Sequence, residues 1–287
     1  MNAQDVRQVG VVGCGLMGSG IAEVCARAGL QVTIVEGSVD LAAAGLARIE
    51  ASLAKAVSRS KLAADQAAHA RARISAEIDI ARLSGADIVI EAATEDPALK
   101  GGIFERLGQV TRPDVVLGSN TSSIPIATLG DASGRPDRVV GMHFFNPVPV
   151  MSLIEITPSA ATSEDAYELV RAFGTHVLGM HCVRSSDEAG FIVNRLLIPY
   201  LYDAMRLYER GFATREDIDT AVHLGLAHPM GPLALADLIG LDTTLSIGEV
   251  LHAAFGDPRY ETPAILGRLV AEGHLGRKAG RGFYEYG

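Results

Sequence analysis

The stretch from Gln8 to Glu36 constrains the fold more than any other part of the chain. A short β-branched run, Gln8 to Val12, is followed by Gly13-Cys-Gly-Leu-Met-Gly18 and then by a helical segment from Ser19 to Ala28. A second β-branched run follows, Gln31 to Val35. The order strand, glycine-rich turn, helix and strand is typical of the first βαβ unit of a parallel sheet.

Each glycine of this turn has a separate task if the turn binds a dinucleotide. Gly13 would permit the tight turn, Gly15 would let the backbone approach a pyrophosphate at the helix N-terminus, and Gly18 would allow close packing of helix on strand. Glu36 ends the second strand, where an acid accepts hydrogen bonds from the adenosine ribose. No Arg or Lys follows directly to meet a 2′-phosphate, which favours NAD over NADP. The alternative is a plain turn with a solvent-facing Glu36.

The rest of the chain alternates strands and helices up to about residue 187 and then loses its strand signal. Further short strands are predicted at 86–92, 115–118, 138–142 and 153–156, and a helical hairpin is predicted within 39–73. Helical patterns alone follow Asp187-Glu-Ala-Gly190. We therefore expect a doubly wound, mostly parallel α/β sheet of Rossmann type over residues 1–187 and an all-helical domain over residues 188–287.

Composition excludes several classes of partner. The 25 Lys and Arg against 34 Asp and Glu give a net charge of −9, so no global positive field favours nucleic acid or an anionic membrane. Three cysteines without C-x-x-C spacing indicate a cytoplasmic protein, and no metal site is predicted. The first eight residues lack a secretory pattern, and glycines and charges interrupt the most apolar stretch, 9–35.

His143 and Glu155 are the first candidate catalytic pair. His143 follows the predicted strand 138–142, at the carboxyl edge where open α/β sheets bind ligands. Glu155 lies in an apolar run, where a carboxylate is costly without a partner. If the chain doubles back at Pro147 and Pro149, the two side chains could meet and form a general base. The alternatives are a structural histidine and a glutamate exposed on an edge strand.

Two further polar groups stand out by position. Ser119-Asn-Thr-Ser-Ser123 directly follows a strand, although it could be an ordinary hydroxyl-stabilised turn. Asn194 falls on the apolar face of the predicted helix 191–209 and so needs hydrogen-bonding partners. Those partners are either backbone groups or a substrate and the catalytic histidine.

These motifs resemble a known family. The chain resembles the L-3-hydroxyacyl-CoA dehydrogenases, in particular the short single-unit form, 3-hydroxybutyryl-CoA dehydrogenase. The resemblance covers nearly the whole chain and rests on Gly13-Cys-Gly-Leu-Met-Gly-Ser-Gly-Ile-Ala22, Ser119-Asn-Thr-Ser-Ser123, His143-Phe-Phe-Asn-Pro-Val-Pro-Val-Met151, Gly190-Phe-Ile-Val-Asn-Arg195, Pro229-Met-Gly-Pro232 and Gly280-Arg-Gly-Phe-Tyr284.

The resemblance implies a role for each matching residue. His143 would be the base, Glu155 its orienting acid, and Ser122 and Asn194 the groups that hold the reacting oxygen. The implied cofactor is NAD, with contacts from Gly13, Gly15, Leu16, Met17, Gly18, Glu36, Glu95, Lys100, Ser122, Asn146 and Lys278. The implied substrate is a (3S)-3-hydroxyacyl-CoA of fatty acid metabolism, and the helical domain would form a homodimer.

Some features depart from the family pattern. Glu36 stands where relatives usually have Asp, and the helix after it lacks the basic residues found near the CoA phosphates, for which Lys55, Arg59 and Lys61 are possible substitutes. Two other functions stay open: a dehydrogenase of a non-CoA hydroxy acid or sugar acid, and an NAD-binding protein without catalysis.

Overall fold

The computed structural model describes residues 2–287 and divides the chain into two compact units, Met1–Asp187 and Glu188–Gly287. The first unit contains every strand of the main sheet, and the second is built from helices. This is the architecture predicted from the sequence: a Rossmann-type, mostly parallel sheet followed by a helical region.

The first unit is built on a sheet of eight strands in the order β3-β2-β1-β4-β5-β6-β7-β8. All neighbouring pairs are parallel except β6 with β7, which is antiparallel. The chain order reverses on either side of β1, and this reversal opens a ligand crevice at the carboxyl ends of β1 and β4. The strands are β1 Gln8–Val12, β2 Gln31–Val35, β3 Ile74–Glu77, β4 Ile88–Glu91, β5 Val116–Ser119, β6 Val139–Phe144, β7 Leu153–Pro158 and β8 His181–Arg184.

Helices cover both faces of this sheet. Because successive side chains of a strand point to opposite faces, Val11 contributes to one buried apolar cluster and Val12 to the other. Buried on both sides, the central strands carry almost continuous apolar runs. The helices of this unit are α1 Leu16–Arg27, α2 Val39–Ser58, α3 Ala64–Ala72, α4 Pro97–Val110, α5 Ile126–Ser133 and α6 Glu164–Ala172.

The structure differs from the expectation at three strands. β3 and β8 were not predicted; they are short edge strands with polar, partly exposed residues and therefore give little sequence signal. β6 runs to Phe144 because it pairs with β7 up to that residue, so His143 lies within the strand rather than after it. β8 covers the far side of β7, so the edge-strand alternative for Glu155 is wrong.

The second unit has its own apolar core. Its helices enclose the side chains of Leu201, Tyr202, Leu233 and Leu251, all of which are fully buried. Thr214 accepts a hydrogen bond from the Asp217 amide and so caps the N-terminus of one helix. The helices are α7 Val193–Glu209, α8 Arg215–Gly225, α9 Pro232–Ile239, α10 Leu241–Phe255 and α11 Ala264–Ala271.

Candidate active site

The antiparallel pairing of β6 and β7 brings His143 and Glu155 together. The register places the two residues directly opposite each other, so their side chains project from the same face of the sheet. Nδ1 of His143 lies 2.7 Å from Oε2 of Glu155. His143 is 8% exposed and Glu155 is 0% exposed. The contact expected from the two prolines and the apolar run is therefore present in the fold.

This geometry suits an imidazole that exchanges a proton. When Nδ1–H donates to the Glu155 carboxylate, Nε2 carries the lone pair and can accept a proton from a ligand. The carboxylate then stabilises the imidazolium that forms. The ring of Phe145 lies against the imidazole, with 4.6 Å between ring centroids, and helps to hold its plane.

A second buried acid, Glu91, ends β4 at the same edge of the sheet. Nζ of Lys100 lies 2.7 and 2.9 Å from the two oxygens of Glu91, and 3.2 Å from Oε2 of Glu95. The Glu91 carboxylate also accepts hydrogen bonds from Ser119 Oγ at 2.6 Å and from the Ala93 amide at 2.6 Å. We name Glu91, Lys100 and Glu95 the acid–lysine cluster.

Lys100 reaches this cluster from the first turn of α4. Asp96 caps that helix by accepting a hydrogen bond from the Leu99 amide at 2.7 Å, and Pro97 is the first helical residue. Lys100 is only 1% exposed, and its ammonium contacts the carboxylates of Glu91 and Glu95. A direct contact of Lys100 with the cofactor stays a prediction.

Glu95 links the cluster to the serine-rich loop after β5. Its Oε1 accepts hydrogen bonds from Thr121 Oγ1 at 2.6 Å and from the Ser122 amide at 2.9 Å. Burial raises the pKa of Glu95, but the charge of Lys100 and the hydrogen bonds from Thr121 and Ser122 outweigh it, so the net pKa lies below the ordinary value. Glu95 is therefore a carboxylate at neutral pH.

The serine-rich loop is itself an ordered turn that reaches β6. Thr121 Oγ1 accepts the amides of Ser123 at 3.2 Å and Ile124 at 2.9 Å, as in a hydroxyl-stabilised turn. Oδ1 of Asn120 accepts the Phe144 amide at 2.9 Å and ties the loop to the residue next to His143. The fold thus brings the loop, the acid–lysine cluster and the end of β6 to one edge of the sheet.

The glycine-rich turn has the shape that a pyrophosphate requires. Gly13 has φ +87°, and a Cβ there would lie 2.8 Å from the backbone of Ala92 and Ala93. A Cβ on Gly18 would overlap the carbonyl oxygen of Gly13, whereas a Cβ on Gly15 would meet nothing within 4 Å. Gly13 and Gly18 thus permit the close packing, and Gly15 leaves the N-terminus of α1 open.

A cavity of about 550 Å³ adjoins this turn and fits the rest of a dinucleotide half. Gly13, Gly15 and Glu36 form its polar side. Its apolar side is lined by Leu41, Ile78, Ile80, Leu99 and Ile103. Glu36 accepts the amides of Cys14 and, at 3.1 Å, Gly37. A carboxylate beside an apolar slot suits a ribose and its base, so the residues present fit an adenine dinucleotide.

The remaining predicted site residues lie on three other segments of the chain. Leu16 and Met17 begin α1, and Asn146 is exposed in the segment between β6 and β7. Asn194 and Lys278 belong to the second unit, where Asn194 is buried on α7 and Nζ of Lys278 lies 2.6 Å from Oδ1 of Asp242. The roles assigned to these five residues stay predictions.

Two residues of this edge were missed in the sequence. Glu91 is a carboxylate at the end of an apolar strand, which is the same signal that identified Glu155. Asn120 belongs to a quoted motif, but its contact with Phe144 joins residues from two different strand ends and has no local signal.

Across residues 2–287, no group of three or more His, Cys, Asp and Glu side chains could hold a metal ion. In that same part of the chain, no helix is both long enough and apolar enough to cross a membrane.

Comparison with known proteins identifies the family. Residues 8–188 match the model of the 3-hydroxyacyl-CoA dehydrogenase NAD binding domain, and residues 190–286 match the C-terminal domain of the same family. NAD is accordingly the cofactor of this chain.

Full-length relatives give the same result. The chain is 50% identical over 282 residues to a 3-hydroxybutyryl-CoA dehydrogenase of Mycobacterium tuberculosis, covering 98% of this chain and 99% of that protein. It is 43% identical over 289 residues to the human mitochondrial hydroxyacyl-coenzyme A dehydrogenase, covering 98% and 91% of the two chains. It is similar to the crystal structure of (S)-3-hydroxybutyryl-CoA dehydrogenase from Ralstonia eutropha, with TM-score 0.92, 43% identity and coverage of 99% and 100%. The chain belongs to the 3-hydroxyacyl-CoA dehydrogenase family.

Proposed function

We propose that the chain interconverts a (3S)-3-hydroxyacyl-CoA and the corresponding 3-oxoacyl-CoA, with NAD as the redox partner and a short acyl chain as substrate. The observation that carries the proposal is the buried His143–Glu155 contact of 2.7 Å at the carboxyl edge of an NAD-binding sheet. An alcohol that loses hydride must also lose its hydroxyl proton, and this imidazole can accept it.

The chain's own residues supply the proton transfer and the positioning. Nε2 of His143 takes the C3 hydroxyl proton in oxidation and returns it to the carbonyl oxygen in reduction. Glu155 stabilises the imidazolium, and Ser122 and Asn194 hold the oxygen in line with the base. When bound, NAD supplies the hydride acceptor for C3.

The cofactor contacts follow the edge of the sheet. Gly13, Gly15 and Gly18, with Leu16 and Met17, shape the pyrophosphate site at the start of α1. Glu36 receives the adenosine ribose. On the other side of the turn, Glu95 and Ser122 face the nicotinamide half, with Asn146 and Lys278 as further contacts. Lys100 is a further proposed contact of this half, and it also holds Glu95 in place.

The hairpin formed by α2 and α3 offers cations for the CoA phosphates. Lys55, Arg59 and Lys61 are all exposed and lie within seven residues at the end of α2. A polyanion needs such a local group because the net charge of the chain is −9.

The second unit is proposed as the substrate and dimerisation domain, spanning residues 188–287. It exposes several large apolar side chains, as an oligomer interface does: Leu196, Phe212, Leu224 and Leu226. A cytoplasmic location is also proposed, on the support of the free thiols Cys14, Cys25 and Cys182.

The test is NADH oxidation with acetoacetyl-CoA, beside free acetoacetate as the matched substrate without CoA. We expect turnover with the thioester and at least 100-fold lower kcat/KM without CoA, since the phosphates and pantetheine contribute binding energy. In the reverse direction, (S)-3-hydroxybutyryl-CoA should react and the (R) isomer should not. Turnover of free acetoacetate alone would indicate a dehydrogenase of non-CoA acids. NADH binding without turnover on either substrate would indicate a non-catalytic protein.

A further inference from the structure

Helix α2 packs directly on the glycine-rich turn. A Cβ added to Gly45 would overlap the sulfur of Cys14 and lie 2.6 Å from its Cβ. Gly45 therefore lets α2 touch the turn at Cys14, the residue between the first two glycines of the motif. One helical turn further on, Nη1 of Arg48 donates a hydrogen bond to the Cys14 carbonyl oxygen at 3.1 Å.

Cys14 is consequently held on three sides. Its amide donates to the Glu36 carboxylate, its carbonyl accepts from Arg48, and its sulfur lies against Gly45. Burial raises the pKa of the Cys14 thiol to about 12, with the charge of Glu36 adding to the rise and that of Arg48 opposing it. The thiol is therefore a packing group, and the two charged side chains both act at this residue.

The Arg48 contact sets the direction of the next amide. A trans peptide unit is planar, so the N–H of Gly15 points opposite to the Cys14 carbonyl. Because Arg48 holds that carbonyl on the α2 side, the Gly15 N–H points away from α2. Among residues 2–287, no acceptor takes this N–H. Gly15 lines the cavity beside the turn, whereas Cys14 and Arg48 do not.

We propose that Arg48 is a positioning residue for the cofactor: it holds the Cys14–Gly15 peptide so that the Gly15 amide is presented to the pyrophosphate. The inference rests on the proposed function only in taking NAD as the bound cofactor, and it does not depend on the acyl-CoA substrate. It concerns an arginine that no sequence motif singles out, because its partner lies 34 residues away. Without Arg48 the peptide can rotate, and the phosphate must order it on binding, which weakens affinity.

The test is equilibrium binding of NADH, followed by its fluorescence, to the wild type, R48A, R48K and R7A. Arg7 is the matched control because it is an exposed arginine that also donates to backbone carbonyls, those of Gln4 and Val6, at the amino end of β1. We expect R48A to bind NADH about fivefold more weakly, a typical effect for one hydrogen bond. R48K keeps a charged donor and should recover part of the loss, and R7A should match the wild type.

Fragments of the cofactor separate positioning of this turn from a general effect. ADP-ribose contains the pyrophosphate, so R48A should weaken the binding of ADP-ribose by the same factor as that of NADH. Adenosine contains no phosphate, so its dissociation constant, obtained from competition against NADH, should be the same for R48A and R7A. Equal NADH affinity of R48A and wild type, or equal losses for ADP-ribose and adenosine, would overturn the proposal.

A fold control and the substrate are measured separately. R48A should melt within a degree or two of R7A without ligand, since Arg48 is exposed; a much lower Tm would assign Arg48 to stability and overturn the positioning role. Binding is measured without acetoacetyl-CoA, so a wild type that binds NADH but does not oxidise it contradicts the proposed function and leaves the test of Arg48 intact.

Discussion

Two buried carboxylates at the same edge of the sheet have opposite surroundings. Glu155 in β7 and Glu91 in β4 are each 0% exposed, and a side-chain nitrogen of a basic residue lies 2.7 Å from each carboxylate. Glu155 has the imidazole of His143. Glu91 has the ammonium of Lys100 together with the hydroxyl of Ser119 and the Ala93 amide.

The difference separates a reactive pair from a structural one. The Lys100 ammonium contacts both oxygens of Glu91 and one of Glu95, so its donors are used within the protein. This arrangement fixes a charge and joins β4, α4 and the loop after β5. An imidazole can hold or release its second proton near neutral pH, and a carboxylate on Nδ1 leaves the chemistry to Nε2. Burial of an acid alone therefore does not indicate catalysis. The two pairs differ in whether the partner of the acid can exchange a proton with a ligand.

The strongest test of the reactive pair is His143→Gln. Glutamine can still hydrogen-bond to Glu155 but cannot accept a proton, so kcat should fall about 10²–10⁴-fold. The measurement is steady-state oxidation of NADH with acetoacetyl-CoA. The Kd of NADH should change little, because the cofactor residues are untouched. Unchanged turnover would remove His143 from the mechanism.

The next test removes one partner of the structural pair. Glu91→Gln keeps the shape of the side chain but leaves the Lys100 ammonium with Glu95 as its carboxylate partner. Removing one member of a buried ion pair costs about 3–5 kcal/mol, and the remaining contact with Glu95 places the expected loss near the lower end, about 3 kcal/mol. Urea unfolding at pH 7 measures the loss. NADH titration at urea concentrations below the unfolding transition checks that the folded protein still binds the cofactor.

Glu155→Gln is the matched control, since it makes the same change in the other pair. It should lower kcat about tenfold or more, because the imidazolium loses its stabilising charge, while its loss of unfolding free energy should be smaller than that of E91Q. If both variants lost stability equally and kept equal kcat, the distinction between the two pairs would be wrong.

The parts of this edge that were predictable from the sequence have local signals. The turn from Gly13 to Gly18 has a fixed glycine spacing, and the meeting of His143 and Glu155 follows from two short strands joined by a proline-containing segment. The buried central strands were recognisable because both of their faces are apolar.

The other contacts depend on tertiary structure. Glu91 carries the same local signal as Glu155, but its partner Lys100 lies on a helix face whose direction depends on how α4 packs. Asn120 and Phe144 meet only through the pairing of β5 with β6. Arg48 reaches Cys14 because a glycine lets α2 approach. Such contacts arise from packing between elements, which residue spacing within one element does not determine.

The smallest expected effect concerns Glu95 of the acid–lysine cluster and its contribution to the free energy of unfolding at acidic pH. Its pKa lies below the ordinary 4.5, since the charge of Lys100 and the hydrogen bonds from Thr121 and Ser122 outweigh the effect of burial. A lowered native pKa contributes stability above the unfolded pKa, and that contribution is lost as the pH falls through the native value.

The Glu95 side chain is 37% exposed, so screening by solvent keeps the contribution under about 1 kcal/mol. Urea unfolding of the wild type and Glu95→Gln at pH 7, 6, 4.5 and 3.5 measures it: the advantage of the wild type should be the same at pH 7 and pH 6 and shrink below about pH 4.5, while the other acids cancel in the difference. An advantage that stayed the same down to pH 3.5 would show that the charge of Glu95 does not stabilise the acid–lysine cluster. The contrast with the His143–Glu155 pair would then rest on Glu91 and Lys100 alone.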